Sequence, residues 1–313
     1  MNLSKEIIQG DRTALAKGIT LIESTLPNDK IIAQELIKKC LQKSGNSIRI
    51  GVTGVPGVGK STFIETFGLL LTSKGHKVAV LAIDPSSERT HGSILGDKSR
   101  MNKLATNNNA FIRPSPSSGI LGGVTDKTRE SIILCEAAGF DIILIETVGV
   151  GQSETTVKNL VDFFLLLILA GAGDELQGIK RGIMEIADAL VITKDDGDNM
   201  QNSKNAALEY NRALHLLASN KNGWTPRVST CSAIKDTGIK SILELIYKFD
   251  AKMKSNGWKD KNRINQGKYW LHLIIRQELG NRAYNKLLEK GKFLQLEKKL
   301  ENGKTINQLL TEL

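Results

Sequence analysis

One glycine-rich turn constrains this chain more than any other feature. Residues 54–61 read Gly-Val-Pro-Gly-Val-Gly-Lys-Ser. The alternating run of residues 47–53 before the turn predicts a strand, and residues 62–70 after it have the apolar spacing of a helix. Strand, glycine turn and helix form the context in which the pattern G-x-x-x-x-G-K-[ST] binds phosphate.

Each residue type in this turn suits phosphate. The glycines let the backbone turn tightly and leave no side chain between the amides and a phosphate. Those amides form an anion nest at a helix N-terminus. We expect Lys60 to reach the β- and γ-phosphates as a catalytic group, and the Ser61 hydroxyl to ligate magnesium. The nucleotide-binding residues predicted here are Gly54, Val55, Pro56, Gly57, Val58, Gly59, Lys60, Ser61 and Thr62.

Composition argues against several other classes of protein. The net charge of +10 is spread along 313 residues, and no RNA-binding aromatic motif or recognition helix is evident, so no nucleic-acid partner is expected. Cys40, Cys135 and Cys231 lie far apart, which argues against a zinc site or a disulfide framework and favours the reducing cytoplasm. The longest apolar run, residues 163–170, is too short to span a bilayer and predicts a buried strand, so we expect no membrane contact.

Two further strands end in carboxylates. One ends at Asp84 and another at Glu146. The carboxyl ends of parallel strands meet at one edge of a sheet, so both side chains are predicted to hold magnesium and to act in catalysis beside the P-loop. Gly149 fits a sensor of the γ-phosphate, whereas Gln152 is better read as a surface polar residue. The glycine-rich loop around Asp97 has the composition of a switch, but pattern alone leaves Asp97 open between a magnesium ligand and an ordinary loop residue.

The segment from Thr193 to Asp196 resembles the guanine-reading motif [NT]-K-x-D. A carboxylate at Asp196 can accept both the N1 and N2 hydrogens of guanine, a donor pair that adenine lacks. Lys194 would cover the base plane. The later residues Ser232, Ala233 and Ile234 match a short base-supporting element. GTP and GDP are therefore the predicted ligands, together with Mg²⁺.

Helical segments extend the chain at both ends. The sequence predicts an α/β P-loop NTPase domain over residues 47–250, with a mostly parallel central sheet flanked by helices. An N-terminal helical arm is predicted over residues 1–46, with Asp11 as a helix N-cap. Residues 251–313 are predicted to form amphipathic helices, which would either pack on the parent domain or serve as a dimerisation arm.

The chain resembles the methylmalonyl-CoA mutase-associated GTPase family, also labelled MeaB or ArgK. Beyond the P-loop, the blocks that carry the resemblance are residues 10–12, 20–24, 84–87, 92–98, 113–119, 146–154 and 173–180. The resemblance implies a homodimeric GTPase that escorts an adenosylcobalamin-dependent acyl-CoA mutase, gating cofactor delivery and protecting the enzyme. It also implies that Asp84, Asp97 and Glu146 surround magnesium, and that residues 171–180 form a switch facing the mutase.

Two positions depart from the family pattern. Thr193 stands where the family usually has Asn, and we expect it to loosen the contact that steadies the nucleotide loop. His91 stands where Gly is usual, and we expect it to stiffen the first switch.

Three other functions are alternatives to this interpretation. An older family label describes a kinase of transport-system components, although no H-R-D or D-F-G motif is present. A metal-insertion GTPase would need clustered Cys or His ligands. A nucleotide-dependent scaffold would bind GTP with negligible turnover.

Overall fold

The computed structural model describes residues 2–84, 101–116, 126–147, 154–171, 181–215 and 221–313. Within these ranges, the central sheet has seven strands in the order β3-β2-β4-β1-β5-β6-β7, and every neighbouring pair is parallel. The predicted α/β fold with a parallel sheet is confirmed. The strands are β1 (Ile48–Gly54), β2 (Val78–Asp84), β3 (Ala110–Pro116), β4 (Ile142–Thr147), β5 (Phe163–Leu169), β6 (Ala189–Thr193) and β7 (Arg227–Thr230).

Helices precede, connect and follow these strands. The N-terminal ones are α1 (Leu3–Ile8), α2 (Arg12–Glu23) and α3 (Pro27–Leu41). Between the strands lie α4 (Lys60–Ser73), α5 (Asn102–Ala105), α6 (Asp126–Ala137), α7 (Glu154–Lys158), α8 (Arg181–Ile186) and α9 (Met200–His215). The C-terminal ones are α10 (Ile239–Ser255), α11 (Trp258–Glu289), α12 (Lys292–Glu301) and α13 (Ile306–Leu310).

The sheet has a hydrophobic core on each face, as parallel sheets require. Helices α4 and α10 cover one face, while α1–α3, α6, α7 and α11–α13 contribute to the core on the other. Alternate residues of one strand therefore enter different cores. On β5, the residues Phe163, Leu165 and Leu167 belong to the first core, and Phe164, Leu166 and Ile168 belong to the second.

The N-terminal helices pack tightly on the domain. Asp11 caps α2 as predicted, since its carboxylate accepts a hydrogen bond from the Ala14 amide at 2.6 Å. A Cβ atom on Gly18 would lie 2.8 Å from Ile7 Cδ1 and 3.1 Å from Leu134 Cδ1, so glycine permits the close approach of α2 to α1 and α6. The arm is therefore part of the second core rather than a separate unit.

The domain end predicted at residue 250 falls inside α10, which continues to Ser255. The chain then turns through Gly257, whose φ is +69°. The polar and basic run 252–261 is typical of a solvent-exposed segment after the domain. However, Met253 and Lys259 within it are buried. Farther along, α11 is broken at Gly280, where φ is +75° and ψ is 164°.

Buried charges join the arm, the sheet and the tail at the edge where the strands begin. We call Arg49, Glu136, Asp162, Asp250, Lys259 and Arg263 the basal ion cluster. Arg49 donates to the two oxygens of Glu136 at 2.8 and 3.0 Å. Arg263 donates to the two oxygens of Asp162 at 2.9 and 2.7 Å. Glu136 also accepts from the Gly45 amide at 2.7 Å, which fixes the end of the N-terminal arm.

The cluster keeps its carboxylates ionised. Burial alone would raise the pKa of Glu136, but Arg49, the Ser47 hydroxyl and Arg263 outweigh it and lower that pKa below its ordinary value. Burial likewise opposes ionisation of Asp162, and the hydrogen bonds and charge of Arg263, with Arg49, lower its pKa. Both groups therefore favour the folded state most when they are charged.

The three cysteines are free and buried, with at most 1% of each side chain exposed. Burial raises the pKa of Cys40 to about 11 and that of Cys231 to about 12, and it also raises the pKa of Cys135. All three thiols stay protonated at neutral pH. In the described parts of the chain, the helices are too short or too polar to cross a bilayer.

Replacing Arg263 tests the basal ion cluster. We expect Arg263→Met to lower the free energy of unfolding by about 3 kcal/mol at pH 7, because Asp162 would lose its bidentate partner while remaining buried. Urea unfolding followed by circular dichroism measures this change. Lys39→Met is the control, since the Lys39–Glu35 pair is 57% and 73% exposed and contributes little.

The stability difference between wild type and Arg263→Met should also depend on pH. A carboxylate whose pKa is depressed in the folded state stabilises the fold above its unfolded pKa of about 3.9 and loses this effect as pH falls through the folded value. The difference between wild type and Arg263→Met should therefore be full at neutral pH and shrink in acid. A difference that stays constant down to acid unfolding would contradict the charge-based explanation.

Candidate nucleotide-binding site

The predicted site residues lie at the edge of the sheet where the strands end. Strand β1 lies between β4 and β5, at the point where strand order reverses. In register, Val52 pairs with Glu146 and Gly54 pairs with Leu167. Thr193 ends β6 two strands away from β1. Parallel α/β sheets bind ligands in the crevice at such a position.

The glycines of the P-loop have two different roles. Gly54, with φ of +154°, lies so close to β5 that a Cβ atom would be 2.5 Å from the Leu167 carbonyl oxygen. Gly57 and Gly59 have φ of +80° and +98°, and Cβ atoms there would meet nothing within 4 Å. Gly54 therefore seats the loop on the sheet. The other two give the loop its turn beside open space that suits a phosphate.

The ammonium of Lys60 lies across the turn. Its Nζ donates to the carbonyl oxygens of Gly54 at 2.7 Å and Val55 at 3.2 Å. Only 9% of Lys60 is exposed. Burial lowers the pKa of Lys60, and the nearby charge of Glu146 partly opposes that shift. The loop's own carbonyls thus hold the cation where phosphate oxygens would compete for it.

Ser61 and Glu146 meet beside the loop. The Ser61 hydroxyl donates to Glu146 Oε1 at 3.2 Å, and Glu146 is 6% exposed. The Thr147 hydroxyl donates to Thr53 Oγ1 at 2.8 Å and ties the ends of β4 and β1 together. A hydroxyl and a carboxylate at one place are the hard oxygen donors that Mg²⁺ prefers, so this pair fits the predicted ion.

The remaining predicted magnesium and switch residues are only partly described. Asp84 ends β2 opposite Pro116, with its side chain outside the description. Asp97, His91, Gly149 and Gln152 lie outside the described residues. Among the described side chains, no three His, Cys, Asp or Glu residues cluster as a metal site. The roles of these residues stay predictions.

The predicted base-reading residues come together. The Ser232 hydroxyl donates to Asp196 Oδ2 and accepts from the Lys235 amide at 3.1 Å. Ser232 is fully buried, so its hydroxyl orients the Asp196 carboxylate from the interior of the protein. Lys194 has a φ of +56°, and its carbonyl accepts from Asn199 Nδ2 at 3.0 Å.

The base-supporting element is tied to the P-loop helix. The Thr66 hydroxyl of α4 donates to the Ala233 carbonyl at 3.1 Å. Sequence reasoning missed this contact because no motif marks Thr66, and it missed Asn199 for the same reason. Ile234 is 78% exposed, and its predicted contact with a nucleotide remains a prediction.

Thr193 contacts the backbone of the P-loop. Its hydroxyl lies 2.7 Å from the Val58 carbonyl oxygen and 3.2 Å from that of Ile168, and the residue is 4% exposed. A threonine hydroxyl at the end of β6 therefore reaches the P-loop backbone directly, and the expected loosening relative to asparagine stays a prediction. One proton serves two acceptors, and the shorter distance favours Val58.

Comparison with known proteins agrees with this geometry. A sequence profile described as methylmalonyl-CoA mutase-associated GTPase MeaB matches residues 15–287. The chain belongs to the MeaB family. Among MeaB relatives, GTPase ArgK of Escherichia coli K12 is 49% identical over 280 residues, covering 90% of this chain and 85% of that protein.

Two further relatives extend the comparison. The mitochondrial methylmalonic aciduria type A homolog of mouse is 47% identical over 283 residues, covering 87% of this chain and 68% of that protein. A crystal structure titled LAO/AO transport system kinase superposes with a TM-score of 0.78 at 39% identity, covering 96% of each chain. MeaB proteins are GTPases with a P-loop, and this chain is accordingly an enzyme that hydrolyses GTP to GDP and phosphate.

Thr193→Val tests the link between β6 and the P-loop. We expect GDP affinity to fall about tenfold, because the buried Val58 carbonyl would lose its donor while the side-chain volume is kept. Titration calorimetry with GDP measures the dissociation constant. Thr193→Ser retains the hydroxyl and should bind as wild type does; equal affinity of the Val and Ser variants would remove the proposed role.

Asp196→Asn tests base reading. We expect the preference for GTP over ATP to fall by roughly tenfold or more, because an amide cannot accept both guanine hydrogens. Xanthosine triphosphate carries a carbonyl in place of the guanine amino group, and it should bind the variant better than it binds wild type. Competition against a fluorescent GDP analogue gives all three affinities. Retained discrimination between GTP and ATP would show that another group reads the base.

Proposed function

We propose that this GTPase is a chaperone and switch for an adenosylcobalamin-dependent acyl-CoA mutase of the methylmalonyl-CoA mutase type. It would bind the mutase, gate loading of the cofactor and protect the loaded enzyme. The observation that carries the proposal is the match of a mutase-associated GTPase profile to residues 15–287, in a chain whose P-loop and guanine loop come together. The name of the mouse relative contains the term methylmalonic aciduria, which supports a partner enzyme that acts on methylmalonyl compounds.

The chain's own residues account for binding and orientation of GTP. Lys60 would exchange its bonds to Gly54 and Val55 for phosphate oxygens. The amides of residues 57–61 would hold the phosphates at the start of α4. In the proposed site, Mg²⁺ would be held by Ser61, Asp84, Asp97 and Glu146, and it would neutralise charge on the phosphates.

Guanine selectivity follows from the rigid support of one carboxylate. Asp196 and Lys194 would contact the base, with Ser232, Ala233 and Ile234 beneath and beside it. Ser232 keeps one oxygen of Asp196 engaged. The carboxylate is therefore oriented before the nucleotide arrives, which reduces the cost of binding.

We also propose that the protein is a homodimer that uses its C-terminal helices. Leu279, Leu288 and Leu294 of this region are 42%, 44% and 68% exposed. Apolar side chains on terminal helices favour a partner surface. A cytoplasmic location remains a prediction from the cysteine pattern, and absence of a nucleic-acid or membrane partner remains a prediction from charge and hydropathy.

A second candidate is a kinase of transport components, because the solved relative with a TM-score of 0.78 is titled a transport system kinase. In that case the γ-phosphate would pass to a protein side chain instead of water. Radiolabelled γ-phosphate distinguishes the two functions, since it would appear on a protein band in one case and in solution in the other.

The first experiment is phosphate release from GTP and from ATP, with and without a purified candidate adenosylcobalamin-dependent mutase. We expect slow, GTP-selective release that the mutase accelerates by roughly tenfold or more; a partner-supplied arginine accelerates some P-loop GTPases by about 10³- to 10⁵-fold. Lys60→Ala should abolish release in both conditions, because the phosphates lose their main cation.

The possible outcomes test the chaperone role, the phosphate site and the guanine-reading role separately. If no candidate mutase changes the rate of GTP hydrolysis, the GTPase activity stands and the chaperone role is rejected. Unchanged turnover by Lys60→Ala would reject the assigned site. Preference for ATP would reject the guanine-reading role of Asp196.

A further inference from the structure

One amide side chain closes the loop that is predicted to read the base. Residues 194–199 leave β6 and pass through a short 3-10 turn into α9. Asn199 Nδ2 donates to the Lys194 carbonyl at 3.0 Å. The backbone amide of Asn199 donates to the Asp196 carbonyl at 3.1 Å. Asn199 therefore contacts both of the residues that are predicted to meet guanine.

Lys194 has a backbone conformation that needs support. Its φ of +56° lies in the left-handed region, where a Cβ atom comes too close to the following carbonyl oxygen. Residues held in such conformations persist only where their surroundings fix them, and they are frequent at ligand sites. The Lys194 side chain is exposed, so packing does not place it. The bond from Asn199 fixes the Lys194 carbonyl, and with it the direction in which the side chain leaves the loop.

The partners of the Asn199 amide determine its orientation. A carbonyl can only accept a hydrogen bond, so the NH2 end must face Lys194. Asn199 Oδ1 then accepts from Asn202 Nδ2 at 3.4 Å, and Asn199 Nδ2 also lies 3.4 Å from the hydroxyl of the buried Ser203. Both of these weaker contacts come from α9. The helix thus holds the amide, and the amide holds the loop.

Asp196 is supported from a different direction. The hydroxyl of the buried Ser232 donates to its carboxylate. The bond from the Asn199 backbone amide to the Asp196 carbonyl involves no side chain, so it is available to any residue at position 199 except proline. Replacing the Asn199 side chain therefore releases the Lys194 carbonyl and leaves both of these contacts of Asp196 in place.

We infer that Asn199 is a positioning residue for guanine nucleotides, because it holds Lys194 in the left-handed conformation from which the lysine would cover the base plane. This inference rests on the proposed base-reading role of Lys194 and Asp196. It adds a residue outside the T-K-x-D pattern that sets how tightly the base is bound.

Asn199→Leu tests this inference, because it keeps a side chain of similar size and removes the donor. We expect the dissociation constant for GDP to rise roughly fivefold, the size of effect that one neutral hydrogen bond gives. Calorimetric titration with GDP and Mg²⁺ measures it. KM for GTP should rise by a similar factor, with kcat within about twofold, because the groups around the phosphates are unchanged.

Asn205→Leu is a matched control. It also replaces an amide of α9, one that accepts from Gln201 Nε2 at 3.1 Å on the exposed surface of that helix. The control should bind GDP as wild type does. Equal losses of GDP affinity in Asn199→Leu and Asn205→Leu would overturn the inference.

Lys194→Ala determines whether Asn199 acts through the lysine. This variant should bind GDP more weakly, because the base plane loses its cover. In the double variant Lys194→Ala/Asn199→Leu, replacing Asn199 should add less than a roughly twofold loss, since the side chain that it positions is already absent. A further loss as large as that in the wild-type background would show that Asn199 acts elsewhere, and the inference would fail.

Inorganic tripolyphosphate separates positioning of the base from general damage to the site. It carries the phosphates of GTP without a base, so its inhibition constant against a fluorescent GDP analogue should be equal for wild type and Asn199→Leu. If tripolyphosphate binding weakens by the same factor as GDP binding, the whole site is disturbed and the positioning role is rejected.

The two single variants distinguish failure of this inference from failure of the proposed base reading. Wild-type GDP affinity in Asn199→Leu, with weakened binding in Lys194→Ala, would reject the role of Asn199 alone. Wild-type affinity in Lys194→Ala would reject base covering by the lysine and the inference together. If Asn199→Leu fails to fold, which urea unfolding followed by circular dichroism shows, Asn199→Ala provides the same comparisons.

Discussion

The carboxylate of Asp162 fixes the relation between the two strands on which the nucleotide site depends. It accepts from the Arg49 amide at 3.0 Å and from the guanidinium of Arg263, while the Asp162 amide donates to the Arg49 carbonyl at 2.8 Å. These bonds set β1 against β5 at the edge where both begin. Gly54, five residues after Arg49, then meets Leu167 of β5 at the opposite edge. The position of the phosphate loop is therefore determined partly by a buried charge pair at the far side of the sheet.

The site itself is assembled from two backbone carbonyls and one carboxylate, each held by a small hydroxyl group. Thr193 holds Val58, Thr66 holds Ala233, and Ser232 holds Asp196. Each of these side chains has few rotamers, so little conformational entropy is lost in fixing them. The halves of the site that would contact phosphate and base are thus connected before any ligand binds, which is the preorganisation that binding and catalysis both require.

Features set by short stretches of sequence could be predicted, and contacts between distant residues could not. The P-loop, the buried strands and the Asp11 cap follow from local patterns of glycine, apolar and capping residues. The basal ion cluster does not, because its members are far apart in sequence, Arg49 and Arg263 by more than two hundred residues, and only the fold brings them together. Lys259 illustrates the difficulty: it lies in a basic run that suggests a solvated surface, yet Asp250 neutralises it at 2.6 Å and lets it be buried.

The departure at Thr193 shows a second limit of sequence reasoning. The sequence shows that Thr193 stands where Asn is usual, but it does not show which atoms this side chain contacts. The outcome depends on the distance from the β6 backbone to Val58, a quantity that no sequence pattern contains. The same is true of Trp270 and Gln266, which donate to the Asn159 and Val161 carbonyls although neither segment has a recognisable motif.

The burial of all three cysteines has a practical consequence. Thiol-reactive dyes attack the thiolate, and Cys40, Cys135 and Cys231 are neither accessible nor ionised at neutral pH. The native cysteines should therefore not react with maleimide reagents while the protein is folded. One cysteine introduced on an exposed face of α3 and a second on α12 would carry the only two fluorophores or spin labels, so the distance between the two ends of the protein becomes measurable without first removing any natural residue.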